Sequence, residues 1–107
     1  MNIKKEIDVR LSKELAKLTN LSNAPALVSP TSNPKFGDYQ ANGVMPAAKR
    51  LKTNPQKLAE ELIATVDLSD LAEKVETAGP GFINITLKKD FLQDKIAENL
   101  HDERLGV

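Results

Sequence analysis

Cysteine and tryptophan are absent from this chain of 107 residues, and aromatic residues make up only 4% of it. The absence of cysteine excludes disulfides, thiolate nucleophiles and thiolate zinc sites, and it fits a reducing compartment. No apolar run approaches the ~20 residues of a membrane-spanning helix, and the amino-terminal segment alternates charged with apolar side chains, unlike a signal peptide. These absences predict a cytoplasmic chain without a membrane partner.

Patterns of catalytic residues are equally scarce. The single histidine, His101, has no second histidine or carboxylate at metal-ligand spacing, so we interpret it as a surface residue. The stretch GPGF has too few glycines for a phosphate loop and precedes a strand, whereas phosphate loops open a helix. Neighbouring carboxylates such as Glu60 and Glu61 are typical of a solvated helix face. The sequence therefore predicts no catalytic residue, metal or cofactor in this chain, which alone is not an enzyme.

Charge is sorted along the chain although the formal net charge is zero. Residues 33–59 carry five basic side chains against one acid, whereas residues 60–76 carry six acids against one lysine. Such sorting is typical of a side that faces a polyanion, but two solvated helix faces of opposite sign would give the same pattern. The candidate phosphate contacts in the basic segment are Lys35, Lys49, Arg50 and Lys52.

Helical spacing of apolar residues predicts five helices, over about 2–18, 38–51, 54–66, 67–73 and 90–100. Asp38 is the expected N-cap of the second helix, and Asn54 followed by Pro55 is typical of the start of the third. Pro46 falls inside the second helix. An internal proline removes a hydrogen bond, so we expect either a kink near residues 42–43 or a helix that restarts just before Pro46.

Three strands are predicted between the helices. A short strand over 26–28 lies between two prolines, which favour an edge position. Strands over 74–78 and 82–87 are joined by Gly79, Pro80 and Gly81, a combination typical of a tight turn in an antiparallel hairpin. The predicted fold class is therefore α+β, with a small antiparallel β-sheet flanked by about four to five α-helices.

The stretch AGPGFINITL, residues 78–87, places a phenylalanine on the polar face of a strand. Because side chains alternate along a strand, the isoleucines and the leucine face one way, and the other face carries Phe82, Asn84 and Thr86. An aromatic ring, an amide and a hydroxyl in a row are the groups with which RNA-binding modules stack and read unpaired bases. A helix that covers this face would instead make Phe82 ordinary core, and the pattern leaves both interpretations open.

Two longer segments resemble a known family. NPKFGDYQANGVMPAAKRLKTNPQKLAEEL, followed further along the chain by VETAGPGFINITL, is similar to the N-terminal domain of bacterial arginyl-tRNA synthetase. The motifs FGDYQAN and AGPGFINI, in this order, carry the resemblance, which covers nearly the whole chain. Pro46 departs from the small, helix-favouring residue that the family pattern would have there.

The resemblance implies a tRNA-binding domain over residues 1–100 and the start of a linker to an absent catalytic domain over 101–107. In this family the domain lies against the tRNA elbow and recognises the D-loop, through residues that correspond here to Gly79, Pro80, Gly81, Phe82 and Asn84. The implied partners are tRNA(Arg) and the rest of the synthetase chain, and no DNA. ATP and magnesium would belong to the catalytic domain of the full-length arginine–tRNA ligase, a class I synthetase. Gly37 and Asp38 are expected to be structural.

Two alternatives to tRNA binding stay open at this point. In the first, the chain is a protein-interaction module whose Phe82 face and acidic stretch 60–76 dock another protein. In the second, it is an intramolecular brace for the catalytic domain and contacts no RNA.

Overall fold

A computed structural model describes residues 2–89 of the chain. The elements within that range are α1 (Ile3–Thr19), β1 (Val28–Pro30), β2 (Tyr39–Ala41), α2 (Val44–Leu51), α3 (Pro55–Thr65), β3 (Ala72–Ala78) and β4 (Phe82–Leu87). A 3-10 turn, Pro34–Phe36, lies between β1 and β2. The α+β class is confirmed, with three helices in this range. The helix predicted over 90–100 lies outside the described residues. Within residues 2–89, no helix is both long and apolar enough to cross a membrane.

The four strands form one antiparallel sheet in the order β1-β2-β4-β3. The predicted hairpin of β3 and β4 is confirmed, and so is the edge position of the first strand. The central strand β4 pairs with β2 on one side and β3 on the other, so that Asn84 lies opposite both Gln40 and Glu76. Side chains of these three residues consequently share one face of the sheet.

The hydrophobic core lies between the helices and the other face of the sheet. On that face the β4 side chains of Ile83, Ile85 and Leu87 are fully buried, as their alternation predicts. Apolar residues of α1 at four-residue spacing, including Ile7 and Leu11, join the same cluster because they share one side of the helix. The core thus fixes which face of β4 is turned away from the helices.

The ends of α1 and α3 follow from their capping residues. Asn2 caps α1 and accepts a hydrogen bond from the backbone N–H of Lys5 at 3.0 Å. Asn54 caps α3 and accepts from Gln56 and Lys57 at 2.9 and 3.3 Å, while Pro55 occupies the first helical position. Both helices were predicted within one or two residues, because capping depends on neighbours in the sequence.

The prediction of a helix capped by Asp38 is wrong. Residues 39–41 form strand β2, and α2 begins at Val44 with Gly43 as its N-cap. Pro46 is therefore the third residue of α2, where a helix has no partner for the backbone N–H that proline lacks. The first helical hydrogen bond of this helix runs from Ala47 to Gly43 at 3.3 Å. A helix does start just before Pro46, as one alternative predicted, but no helix precedes it at residues 39–41, and the alternative of a kink is wrong.

The first strand comprises residues 28–30, two positions later than the predicted 26–28. Side chains of α1 accept hydrogen bonds from two backbone donors of this segment: Ser12 Oγ accepts from Ala26 at 2.9 Å, and Asp8 Oδ2 accepts from Val28 at 3.3 Å. Between them Leu27 has a φ of 55°, which interrupts the extended backbone. Sheet pairing therefore starts only at Val28.

The short helix predicted over 67–73 is also wrong. Asp67 Oδ1 accepts hydrogen bonds from the N–H and the hydroxyl of Ser69, which favours a turn over a helix. Arg10 then ties the turn to α1 through two bonds to the carboxylate of Asp70, at 2.6 and 3.1 Å, and this guanidinium lowers the pKa of Asp70. The chain enters β3 directly, at Ala72 and not at Lys74 as predicted.

Candidate functional site

The face of β4 turned away from the core carries Phe82, Asn84 and Thr86. We call this face, with the neighbouring Gln40 of β2 and Glu76 of β3, the outer face. The row of an aromatic ring, an amide and a hydroxyl is thus placed as the alternation of the strand predicts. The candidate site is built on the central strand of the sheet, which is paired on both sides.

Phe82 lies outside the hydrophobic core and is half-buried. Its ring packs over the hairpin turn, because a methyl group added at Gly79 would lie 3.4 Å from Phe82 Cδ2. Among residues 2–89, Phe82 is therefore not part of the core cluster, unlike in the alternative that made it ordinary core. The turn supports one side of the ring, and part of its surface stays accessible.

Asn84 is held more firmly than the sequence suggested. The residue is only 8% exposed, and its Oδ1 accepts a hydrogen bond from Gln40 Nε2 at 2.9 Å. That bond uses the carbonyl end of the amide and orients the Nδ2 end, whose two hydrogens are donors. Asn84 is consequently preset to offer a donor, and its own acceptor is engaged by Gln40.

The hairpin turn depends on two glycines with positive φ, Gly79 at 54° and Gly81 at 148°. A methyl group at Gly81 would lie 3.0 Å from Pro55 Cβ and 3.1 Å from Met45 Cγ. The turn therefore packs against the first residue of α3 and the first turn of α2. This contact fixes the position of the turn, with Phe82 directly after it, relative to the helices.

The candidate phosphate contacts lie at two separate places. Lys49, Arg50 and Lys52 are exposed at the carboxyl end of α2, and Lys52 precedes Pro55, which touches the turn, by three residues. The guanidinium of Arg50 donates to the backbone carbonyl of Asn23 at 3.1 Å, so it is held against a loop. Lys35 is exposed on the 3-10 turn between β1 and β2. The α2 lysines therefore lie at the carboxyl end of the helix whose first turn contacts the hairpin turn, and Lys35 lies on a separate loop.

An acidic side chain accompanies the amide on the outer face. Glu76 lies opposite Asn84, and its carboxylate is 3.4 Å from the ammonium group of Lys74. The carboxylate and the ammonium group offset each other, so the middle of the outer face carries little net charge. This part of the face therefore suits an uncharged group, such as a nucleobase, better than a phosphate.

Asp38 makes contacts within the fold, but it does not cap a helix as predicted. Its Oδ2 accepts from the backbone N–H of Leu87 at 2.7 Å, and its own N–H donates to the carbonyl of Ile85 at 2.8 Å. The carboxylate thereby satisfies a donor at the end of β4. Gly37 at +82° lies beside the same strand, where a methyl group would be 2.7 Å from the carbonyl oxygen of Ile85.

We expect Asp38→Ala to lower the stability of the fold by about 1 to 3 kcal/mol, because it leaves the partly buried N–H of Leu87 without its acceptor. Asp38→Asn keeps an oxygen at that position and should recover part of the loss. Thermal unfolding measures the effect. Affinity for RNA, corrected for the folded fraction, should be nearly unchanged; unaltered stability with lost RNA binding would place Asp38 in the site instead.

Two residues of this region were not found from the sequence. Gln40, which orients Asn84, was assigned to a helix because strand β2 was missed. Phe36 was not singled out from the sequence, although it is 43% exposed. The signal in the sequence that could have found the strand is the alternation of Tyr39, Gln40 and Ala41, in which a polar residue lies between two that are buried in the structure.

The chemistry available at the outer face is that of recognition. It offers a ring for stacking, an amide donor and a hydroxyl. Within residues 2–89, no group of three or more histidine, cysteine, aspartate or glutamate side chains is arranged to hold a metal ion. The ring, the amide and the hydroxyl of the outer face together suit the binding of an unpaired base.

Comparison with known proteins gives concordant results. Residues 3–87 match the family model described as the arginyl tRNA synthetase N terminal domain. The chain is 51% identical over its whole length to an arginine–tRNA ligase of Chromobacterium violaceum and 48% identical to that of Hahella chejuensis, and it spans 18% of the length of each. Its fold is similar to that of the arginyl-tRNA synthetase of Plasmodium falciparum, with a TM-score of 0.75, 25% identity, and coverage of 98% of this chain and 19% of the other.

Proposed function

Because the chain belongs to the family of arginyl-tRNA synthetase N-terminal domains, we propose that it binds tRNA(Arg) at the elbow, through the D-loop. The residues proposed to make the contact are Gly79, Pro80, Gly81, Phe82 and Asn84. In this proposal the domain positions the tRNA for a catalytic domain elsewhere in the synthetase, which would use ATP and magnesium to attach arginine. The protein would act in the cytoplasm.

The observation that carries the proposal is the position of Phe82. An aromatic ring that lies outside the core, supported on one side by a glycine turn, is suited to stack on a base that is not paired. Asn84, oriented by Gln40, would donate from Nδ2 to an acceptor on the edge of the same base. The D-loop fits this geometry because a loop can present an unstacked base, whereas a helix cannot.

The role proposed for the basic residues is to hold the backbone around that base. Lys49 and Lys52 are exposed on the helix whose first turn contacts the hairpin turn, and in this proposal the RNA strand that presents the base passes over the end of α2. Arg50 would assist from the position set by its bond to Asn23. With so few phosphate contacts, we expect the dissociation constant of the chain alone to lie at about 10⁻⁴ to 10⁻⁶ M.

The proposal is tested by titrating the 107-residue chain with labelled tRNA(Arg) transcripts, one intact and others with altered D-loops. Weaker binding of the D-loop variants supports it. Equal binding of all transcripts would refute recognition of the D-loop. Binding of another protein that is insensitive to RNA would favour the interaction module, and no binding of any tRNA would favour the brace.

We predict that Lys49→Gln and Lys52→Gln together flatten the salt dependence of tRNA binding. Each phosphate contact contributes about 0.7 to 0.9 to the slope of log K against log salt, so the double variant should lose about 1 to 2 from that slope. Titrations at several salt concentrations measure it. The matched control is Lys4→Gln with Lys13→Gln, which removes two exposed charges from α1. If both pairs change the slope equally, only overall charge matters and the local contact is refuted.

A further inference from the structure

Phe36 differs from the other aromatic residues of the described range. Its side chain is 43% exposed, whereas Tyr39 is 5% exposed and Phe82 is half-buried against a turn. A single exposed apolar residue is common on protein surfaces and indicates little by itself. The position of Phe36 relative to the outer face is what distinguishes it.

The loop that carries Phe36 is fixed to the far end of β4. Gly37, the next residue, forms a bridge with Ile85, and a methyl group added at Gly37 would lie 2.9 Å from Thr86 Oγ1. Thr86 is the last residue of the row that starts at Phe82. The two ends of the loop are also joined by a hydrogen bond, in which the backbone N–H of Thr31 donates to the carbonyl of Asp38 at 3.1 Å. Phe36 is therefore held beside the Thr86 end of the outer face.

The spacing along β4 separates this ring from Phe82. Thr86, beside which Phe36 is held, is four residues along β4 from Phe82, which corresponds to about 13 Å. That distance is several times the rise of about 3.4 Å between stacked bases on one nucleic-acid strand. One base could not contact both rings, but two bases of the same loop could. The neighbouring Lys35 is exposed and adds a cation that suits a phosphate beside such a base.

We propose that Phe36 and Lys35 form a second nucleotide contact, in which Phe36 stacks on an unpaired base of the same tRNA that Phe82 engages. The inference rests on the proposed function and extends it from one base to two. In this arrangement the outer face carries one base at each end of β4, with Asn84 between them.

Fluorescence provides the direct test. The chain has no tryptophan, so the emission of a single introduced tryptophan reports on its own position. We expect tRNA(Arg) to quench the emission of Phe36→Trp and of Phe82→Trp, since both indole rings would stack on a base. Val9→Trp, at an exposed position of α1, is the control for absorption by the RNA. Emission of Phe36→Trp that falls no further than that of Val9→Trp overturns the inference.

Affinity provides the second test. Phe36→Leu keeps an apolar side chain for packing and removes the aromatic face, so we expect a folded variant that binds tRNA(Arg) about 5-fold or more weakly. Val9→Ala should bind as the parent does. A loss with Phe82→Ala but none with Phe36→Leu would refute the second contact and leave the proposed function standing. No loss with either variant would refute both the second contact and the contact proposed for Phe82.

Discussion

Phe82→Ala is expected to weaken the binding of tRNA(Arg) by about 5- to 150-fold, which is the 1 to 3 kcal/mol that one base–aromatic stack contributes. The fold should remain, because the ring lies outside the core and packs over the exposed turn at Gly79. The expected result is therefore a loss of affinity with a nearly unchanged unfolding temperature. Titration and thermal unfolding of the same preparation measure both quantities.

The matched control is Ile83→Ala, on the neighbouring residue whose side chain is fully buried on the other face of β4. Loss of that side chain should destabilise the fold by about 2 to 5 kcal/mol through the cavity it leaves. A Phe82→Ala variant that unfolds as Ile83→Ala does would show that the ring is structural. A folded variant that binds tRNA as well as the parent would refute stacking by this ring.

Gly43→Ala is expected to destabilise the fold by about 3 kcal/mol or more. A methyl group at Gly43 would lie 2.0 Å from the carbonyl oxygen of Pro25 and 2.7 Å from the carbonyl carbon of Ala26. Those atoms are backbone and cannot rotate away. The N–H of Gly43 also donates to the carbonyl of Ala26 at 2.8 Å, so the two segments cannot separate without losing this bond.

The unfolding temperature of Gly43→Ala should fall by about 10 °C or more, given about 4 °C or more per kcal/mol for a domain of this size. Pro46→Ala is the matched control, because Pro46 is exposed in the same first turn of α2 and its replacement should change stability by less than about 0.5 kcal/mol. A Gly43→Ala variant as stable as the parent would mean that the loop before β1 is not packed against α2 as described.

The parts of the fold that the sequence predicted are those set by neighbouring residues. The capped helices α1 and α3 and the β3–β4 hairpin depend on signals within a few positions. Strand β2 was missed because its three residues pair with β4, more than forty positions away, and because Ala41, Val44, Met45 and Ala48 happen to have helical spacing. Long-range pairing overrode a local pattern there.

The candidate site divides in the same way. Alternation along β4 predicted that Phe82 and Asn84 share one face, and that is confirmed. Whether this face is turned away from the core was left open by the pattern, and the structure places Phe82 outside the core cluster. The bond that orients Asn84 comes from Gln40, and the loop that carries Phe36 is fixed by its bridge to Ile85. Both depend on β2 lying next to β4. Neither could be predicted while residues 38–51 were assigned to one helix.

The central claim, that Phe82 stacks on a base of the D-loop, is tested most directly by a double-mutant cycle across the interface. The parent chain and Phe82→Ala are each titrated with intact tRNA(Arg) and with transcripts in which one D-loop base at a time is removed to leave an abasic site. If the ring stacks on that base, the two changes share one interaction, and Phe82→Ala should cost almost nothing further against one of the abasic transcripts. Strictly additive losses at every D-loop position would contradict the account.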